Sequence, residues 1–295
     1  MSDNSIVHPE YLVEVDELVD LLERPGIRVL DVTARLTSSL ENTARARCFD
    51  EGHIPGSVFF DVGSGHGVLS DPDHELPWMW PSPDRVTGSL RAAGVDQGDR
   101  IVIVASTPRP GVDAGTMWCT RTWWTLHHMG LDVAVLRGGI EGWVAAGHPL
   151  TTEATVVESG NVTVTSDGLH ARATSGDVLT ALDDGATCVV DALSPASYSG
   201  EEPGYGPRRG HITGAVNIPG QSLIRSETAD FIDASALTTA LSALRPDERP
   251  IISYCGGAIA ATMVAFGLAL LGHNEVRVYD GSLMEWSRDP DLPMT

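Results

Sequence analysis

The residue best placed for chemistry is Cys255, in the stretch YCGGAIAATMVAFGLALLGH (254–273). A β-branched run, PIISY, leads straight into it, and an apolar helical run follows. Between them lie Gly256, Gly257, Ala258, Ile259 and Ala260, residues small enough for the backbone to approach a ligand closely. A strand-to-helix loop of this kind aims several backbone N–H groups at one spot, and the helix N-terminus adds a positive end. A thiol held there is expected to have a lowered pKa, because amide donors and the helix dipole favour the thiolate, the nucleophilic form. The other cysteines, Cys48, Cys119 and Cys188, form no CxxC pair and no metal-ligand spacing with it. Cys188 lies inside a strand-like run and Cys119 in a Trp-rich helix, so both read as packing residues.

What must position Cys255 becomes visible when the two halves of the chain are set side by side. RVLDVTA (28–34), GHIPGSVFFDV (52–62), RIVIVAS (100–106) and RGGIEGW (137–143) recur in the same order. Their counterparts are CVVDALS (188–194), GHITGAVNIPG (210–220), RPIISYC (249–255) and YDGSLMEW (279–286). Four landmarks repeated in order are the mark of an internal duplication. Short continuous β-branched runs alternate with helix-like stretches, which predicts an α/β fold with a mainly parallel sheet flanked by helices in each half. The polar segment that begins at Thr151 has no helical period. We therefore expect domains at 1–150 and 166–295 joined by a linker at 151–165. Matching RIVIVAS to RPIISYC sets Ser106 opposite Cys255, so the first domain is expected to be non-catalytic. His53 and His211, repeated in the GHI segments, read as turn-stabilising, and Asp31 and Asp191, which end strands in both halves, read as structural.

Composition bounds the rest. A chain of 295 residues with 42% hydrophobic and 20% charged residues has material for two ordinary cores. The net charge of −21 argues against a nucleic-acid partner, because phosphates would be repelled. No apolar run approaches the roughly 20 residues needed to span a bilayer, and no secretory signal opens the sequence. A cytoplasmic protein that does not engage membranes is the expectation.

These motifs resemble the two-domain rhodanese family of sulfurtransferases. The residues that carry the resemblance are both GHI-G segments, the LDV and VDA strands, the Trp123–Trp124 helix, the Cys255 loop and YDGSLMEW, which together span almost the whole chain. The resemblance implies two tandem rhodanese-like domains and an enzyme that takes sulfane sulfur from thiosulfate or 3-mercaptopyruvate. Cys255 would hold the sulfur as a persulfide and pass it to cyanide or a thiol. It implies no metal and no organic cofactor, and a monomer is the simplest assembly, since the duplication already supplies two domains.

Within the family, a glycine after the cysteine goes with mercaptopyruvate, and Gly256 stands there. FFDV and DPDHELP resemble the segments that supply an aspartate and a histidine to a catalytic triad, here Asp61 and His74. Other positions depart from the pattern. The triad serine falls at Gly257, and Ala260 takes a place often held by threonine. Leu193 and Ser197 occupy the usual places of substrate-binding arginines, a role that Arg208 or Arg209 would have to fill. Loss of those arginines also allows a different reading, a persulfide carrier that serves a dedicated partner with little small-molecule turnover. Phosphatase loops of related shape end in an arginine, which CGGAIAAT lacks.

Overall fold

The computed structural model describes residues 6–107 and 115–295, which fall into two units. The N-terminal unit comprises Glu10–Gly168 together with Arg225–Asp230, and the C-terminal unit the remainder. Strands of the first unit are β1 (Leu12–Val13), β2 (Ile27–Asp31), β3 (Val58–Phe59), β4 (Arg100–Val104) and β5 (Val133–Leu136). Its helices are α1 (Val15–Leu22), α2 (Ala44–Arg47), α3 (Pro83–Ala92), α4 (Gly115–His128) and α5 (Gly139–Ala145). The second unit has β6 (Arg172–Ala173), β7 (Cys188–Asp191), β8 (Val216–Asn217), β9 (Ile251–Tyr254) and β10 (Val276–Tyr279). Its helices are α6 (Ser175–Asp184), α7 (Pro195–Tyr198), α8 (Ala234–Leu241), α9 (Ala261–Leu270) and α10 (Ser282–Trp286).

Both sheets have the same topology, β1-β5-β4-β2-β3 in one and β6-β10-β9-β7-β8 in the other, and every paired strand is parallel. A parallel sheet is covered on both faces, which is why its central strands read as continuous apolar runs. Ile101, Val102, Ile103 and Val104 of β4 are fully buried, as are Ile252, Ser253 and Tyr254 of β9. Helix starts follow capping chemistry: Ser82 accepts from the Arg85 amide ahead of Pro83 at the start of α3. Thr174 and Asp177 form a capping box on α6, and Asp233 caps α8.

The duplication extends to single hydrogen bonds. His53 Nδ1 lies 2.8 Å from Phe49 O with its ring stacked on Phe49, and His211 Nδ1 lies 2.9 Å from Tyr198 O with its ring stacked on Tyr198. The His53 backbone exchanges bonds with Thr151, as that of His211 does with Thr295. Trp143 Nε1 donates to Pro149 O and Trp286 Nε1 to Pro293 O. The segment 151–168 runs without regular structure along the N-terminal unit. Arg91 Nε donates to Val162 O at 2.7 Å and Trp80 Nε1 to Asp167 O at 2.8 Å. Among the described residues no helix is long and apolar enough to cross a membrane.

The ladder register corrects one expectation. Asp31 pairs with Val104, and its counterpart Asp191 pairs with Tyr254, so Val104 and Tyr254 are equivalent. Ala105, not Ser106, therefore stands opposite Cys255. The next contacts agree: Ile140 N donates to Ala105 O as Leu283 N donates to Cys255 O. Matching Arg100 to Arg249 misleads by one residue, because pairing in the ladder, and not residue identity, sets the register.

Candidate active site

Cys255 follows β9 at the centre of the C-terminal sheet, and its loop feeds α9, a helix whose ten residues are all buried. Ser253 Oγ, one residue before the end of β9, donates to Ala261 O at 3.0 Å and so ties the strand to the start of that helix. The loop docks on the N-terminal end of α10. Leu283 N donates to Cys255 O at 3.1 Å, and Met284 N donates to Gly256 O at 2.9 Å. Ser282 completes this dock: its Oγ accepts from Cys255 N at 3.2 Å and from Ala258 N at 3.1 Å, and donates to Tyr279 O at 2.8 Å. All the hydrogen-bonding capacity of one hydroxyl is thus used to hold the loop closed around the sulfur.

The backbone amides of Ala261, Gly257 and Ile259 act on the thiol as donors and favour its ionised form. Burial outweighs them. Cys255 is only 3% exposed, and desolvation, with the Asp191 carboxylate adding to it, pushes the thiol up. The lowered pKa expected from the loop is therefore not the resting condition, because a sequence shows the amide donors but not the loss of water around the sulfur. The same amides would stabilise charge on the sulfur whenever it ionises or extends into a persulfide.

Ala258 has φ of 60°, in the left-handed region, which costs an L-residue about 1 kcal/mol. Gly256 lies beneath the ring of Tyr205: a Cβ added at 256 would overlap Cγ, Cδ1 and Cε1 of that ring. Ile259 is buried, and Ala260 precedes α9 without a side-chain cap.

Arg208 does not stand ready for an anionic substrate. It donates to the carbonyls of Ser287, Leu292, Trp286 and Asp289, at 3.1, 2.8, 2.8 and 2.6 Å, which uses four of its five N–H groups. Arg209 is exposed. Leu193 is buried, and Ser197 donates to Glu202. Asp61 and His74 both lie in the N-terminal unit, committed to separate local tasks. Asp61 accepts from Asn42 Nδ2, Ser64 N and Ser64 Oγ, while exposed His74 accepts at Nδ1 from the Leu76 amide. Cys48, Cys119 and Cys188 are free thiols that burial pushes up.

Tyr205 and Ser282 escape a reading of the sequence. Ser282 had a signal, because the duplication sets it against Gly139, a change of side chain at a left-handed position (φ 47° and 57°). Tyr205 had only its glycine neighbours.

Comparison with known proteins follows the same division of the chain. The Rhodanese-like domain model matches residues 14–146 and 174–289. The 3-mercaptopyruvate sulfurtransferase of Escherichia coli K12 is 32% identical over 292 residues, covering 96% of this chain and 97% of that protein. The mitochondrial thiosulfate/3-mercaptopyruvate sulfurtransferase 1 of Arabidopsis thaliana is 28% identical, covering 99% of this chain and 80% of its own length. Among solved structures, Escherichia coli SseA, a 3-mercaptopyruvate sulfotransferase with the rhodanese fold, superposes with a TM-score of 0.78 at 29% identity. The match covers 92% of this chain and 98% of SseA.

Proposed function

The chain belongs to the rhodanese family and is a sulfurtransferase, and from that premise we propose that Cys255 carries the sulfur in transit as a persulfide. The thiolate attacks the sulfane sulfur of the donor. With 3-mercaptopyruvate the carbon–sulfur bond breaks and its electron pair leaves on the enolate of pyruvate, which then takes up a proton. With thiosulfate the sulfur–sulfur bond breaks and sulfite leaves. An acceptor thiolate, or cyanide, next attacks the outer sulfur of the persulfide, and the Cys255 thiolate is released. Electrons balance at each stage, so no cofactor is needed.

The observation that carries this reading is the loop that holds Cys255 between β9 and the buried helix α9, pinned through the Cys255 and Ala258 amides to Ser282 Oγ. A persulfide anion needs backbone donors of the kind such a loop supplies, and none of the other three cysteines sits in one. The N-terminal unit, with Ala105 at the matching place, is assigned a structural part. Gly256 and the named activity of the Escherichia coli relative favour 3-mercaptopyruvate as donor. The test is steady-state turnover with each donor separately, alongside mass spectrometry of the donor-treated protein. We expect one added sulfur on the peptide holding Cys255 and a loss of at least about 1,000-fold in Cys255→Ser. Turnover that survives the serine substitution would sink the assignment.

A further inference from the structure

Catalysis at Cys255 poses a problem of access. The sulfur must meet a donor and then an acceptor, yet Cys255 is 3% exposed and every residue from Ile251 to Ile259 is buried. The nucleophile loop is not free to open. The Cys255 and Ala258 amides are bonded to Ser282 Oγ, and the Cys255 and Gly256 carbonyls accept from Leu283 N and Met284 N. The helix that follows is buried throughout. Some other group must yield.

One side chain lies on the loop from outside. The ring of Tyr205 rests so closely on Gly256 that a Cβ added there would overlap Cγ, Cδ1 and Cε1. Tyr205 is itself 43% exposed, so its ring can leave the loop without crossing a packed layer. No bond is broken when it does, because among the described residues Gly204, Tyr205 and Gly206 make no hydrogen bond.

The frame that carries the ring is fixed. A Cβ added at Gly200 would lie 3.3 Å from Gly210 N, so the ends of 200–210 meet and the chain between them is a compact surface loop. On one foot, Glu201 N and Glu202 N donate to Ala196 O at 2.9 and 3.2 Å. On the other, Arg208 donates to four carbonyls in and after α10. Arg208 and the exposed Arg209 thus belong to a foot of the loop, while Tyr205 stands at its tip. Glycine is required on both sides of the tip, since a Cβ at Gly204 would lie 2.6 Å from Arg208 O and one at Gly206 would overlap Ser287 Oγ. The loop is anchored and its ring is not.

We propose that Tyr205 is the gate of the sulfur site: seated on Gly256, its ring shuts molecules in solution out, and donor and acceptor reach Cys255 only after it rotates outward about its own side-chain bonds. This rests on Cys255 being the sulfur carrier. The gate works by the bulk of the ring, so phenylalanine serves in place of tyrosine. Small aromatic gates of this kind open locally while the rest of the domain stays folded.

The test follows alkylation of Cys255 by iodoacetamide, a small neutral probe, read by mass spectrometry of the Cys255 and Cys188 peptides. Cys188, a buried thiol of the same unit, reports any general loosening. Tyr205→Ala should alkylate at Cys255 at least about tenfold faster than wild type, with Cys188 unchanged and Tyr205→Phe within about twofold of wild type. Gly256→Ala, whose methyl group unseats the ring, should also speed alkylation. Adding Tyr205→Ala to it should bring little further gain, because both changes remove one contact. An unchanged Cys255 rate in Tyr205→Ala, a Cys188 rate that rises in step with it, Tyr205→Phe as reactive as Tyr205→Ala, or gains that multiply in the double variant would overturn the proposal. Alkylation needs no persulfide, so absence of an added sulfur on donor-treated wild-type Cys255 would strike only at the carrier assignment beneath it.

Discussion

The two units of this chain are one scaffold used twice, and the residue that follows the central strand is where they part. Both have the same strand order, the same histidine stacked on an aromatic ring and the same tryptophan bonded to a proline carbonyl. At the end of the central strand the N-terminal unit reads Val104–Ala105 and the C-terminal unit Tyr254–Cys255. Facing these, the first has Gly139 and the second Ser282. The backbone bond from the facing helix to the loop carbonyl is present in both. Around these two positions, chemistry is therefore added by side chains to strands and a facing helix that both copies keep.

That comparison can be broken by transplantation. Ala105→Cys, placed in a Cys255→Ser background, should leave turnover about 1,000-fold below wild type, because a thiol alone does not bring the Ser282 hydroxyl or the Cys255 loop with it. Recovery of activity would show that the frame suffices. A smaller effect is expected from Ser282→Gly, which gives the second unit the residue of the first. Losing the acceptor for two loop amides should cost about 10- to 100-fold in kcat, with less change in KM, measured in the same assay. A loss confined to KM would assign Ser282 to substrate binding instead.

The strand-end aspartates sharpen the comparison further. Burial pushes Asp31 up to about 6 against the Thr33 hydrogen bonds that lower it. Burial also raises Asp191, but the Leu193 amide and the Tyr254 hydroxyl pull it back. Between about pH 4 and 6 the folded N-terminal unit keeps a proton on Asp31 that the unfolded chain has released. Stability should then fall as pH rises through that window, by roughly 2 kcal/mol, and Asp31→Asn should flatten the slope in urea titrations. The smallest effect concerns the left-handed Ala258. Ala258→Gly should change stability by no more than about 0.5 kcal/mol in the same titrations, because relief of the left-handed backbone is offset by the extra entropy of an unfolded glycine. A loss above about 1 kcal/mol would show that the buried Ala258 methyl is held by packing as well.

Much of this was legible in the sequence. The repeated motifs yield two parallel α/β domains, the Cys255 loop and the rhodanese resemblance, because buried strands and small-residue loops write themselves into local composition. What stayed hidden depends on partners far along the chain. Arg208 reads as a candidate anion binder until the carbonyls of residues 286–292 are seen to surround it. Tyr205 has no periodic context, and its importance lies in a contact with Gly256, 51 positions away. The one-residue error at Ser106 has a similar origin, since two arginines can be matched in text while hydrogen bonds decide which residues face each other. The direction of the Cys255 shift is set by excluded water, which a loop motif does not display, and not by the amide donors that it does.

The burial of Cys255 also bears on durability. Peroxide attacks thiolates and spares thiols, and it must reach the sulfur to do so. A cysteine that is 3% exposed and held in its protonated form is a poor target for irreversible oxidation to sulfinic or sulfonic acid. The molecule is thus stored in a form that ages slowly, and its exposure to oxidative damage is concentrated in the brief intervals when the sulfur is ionised and at work.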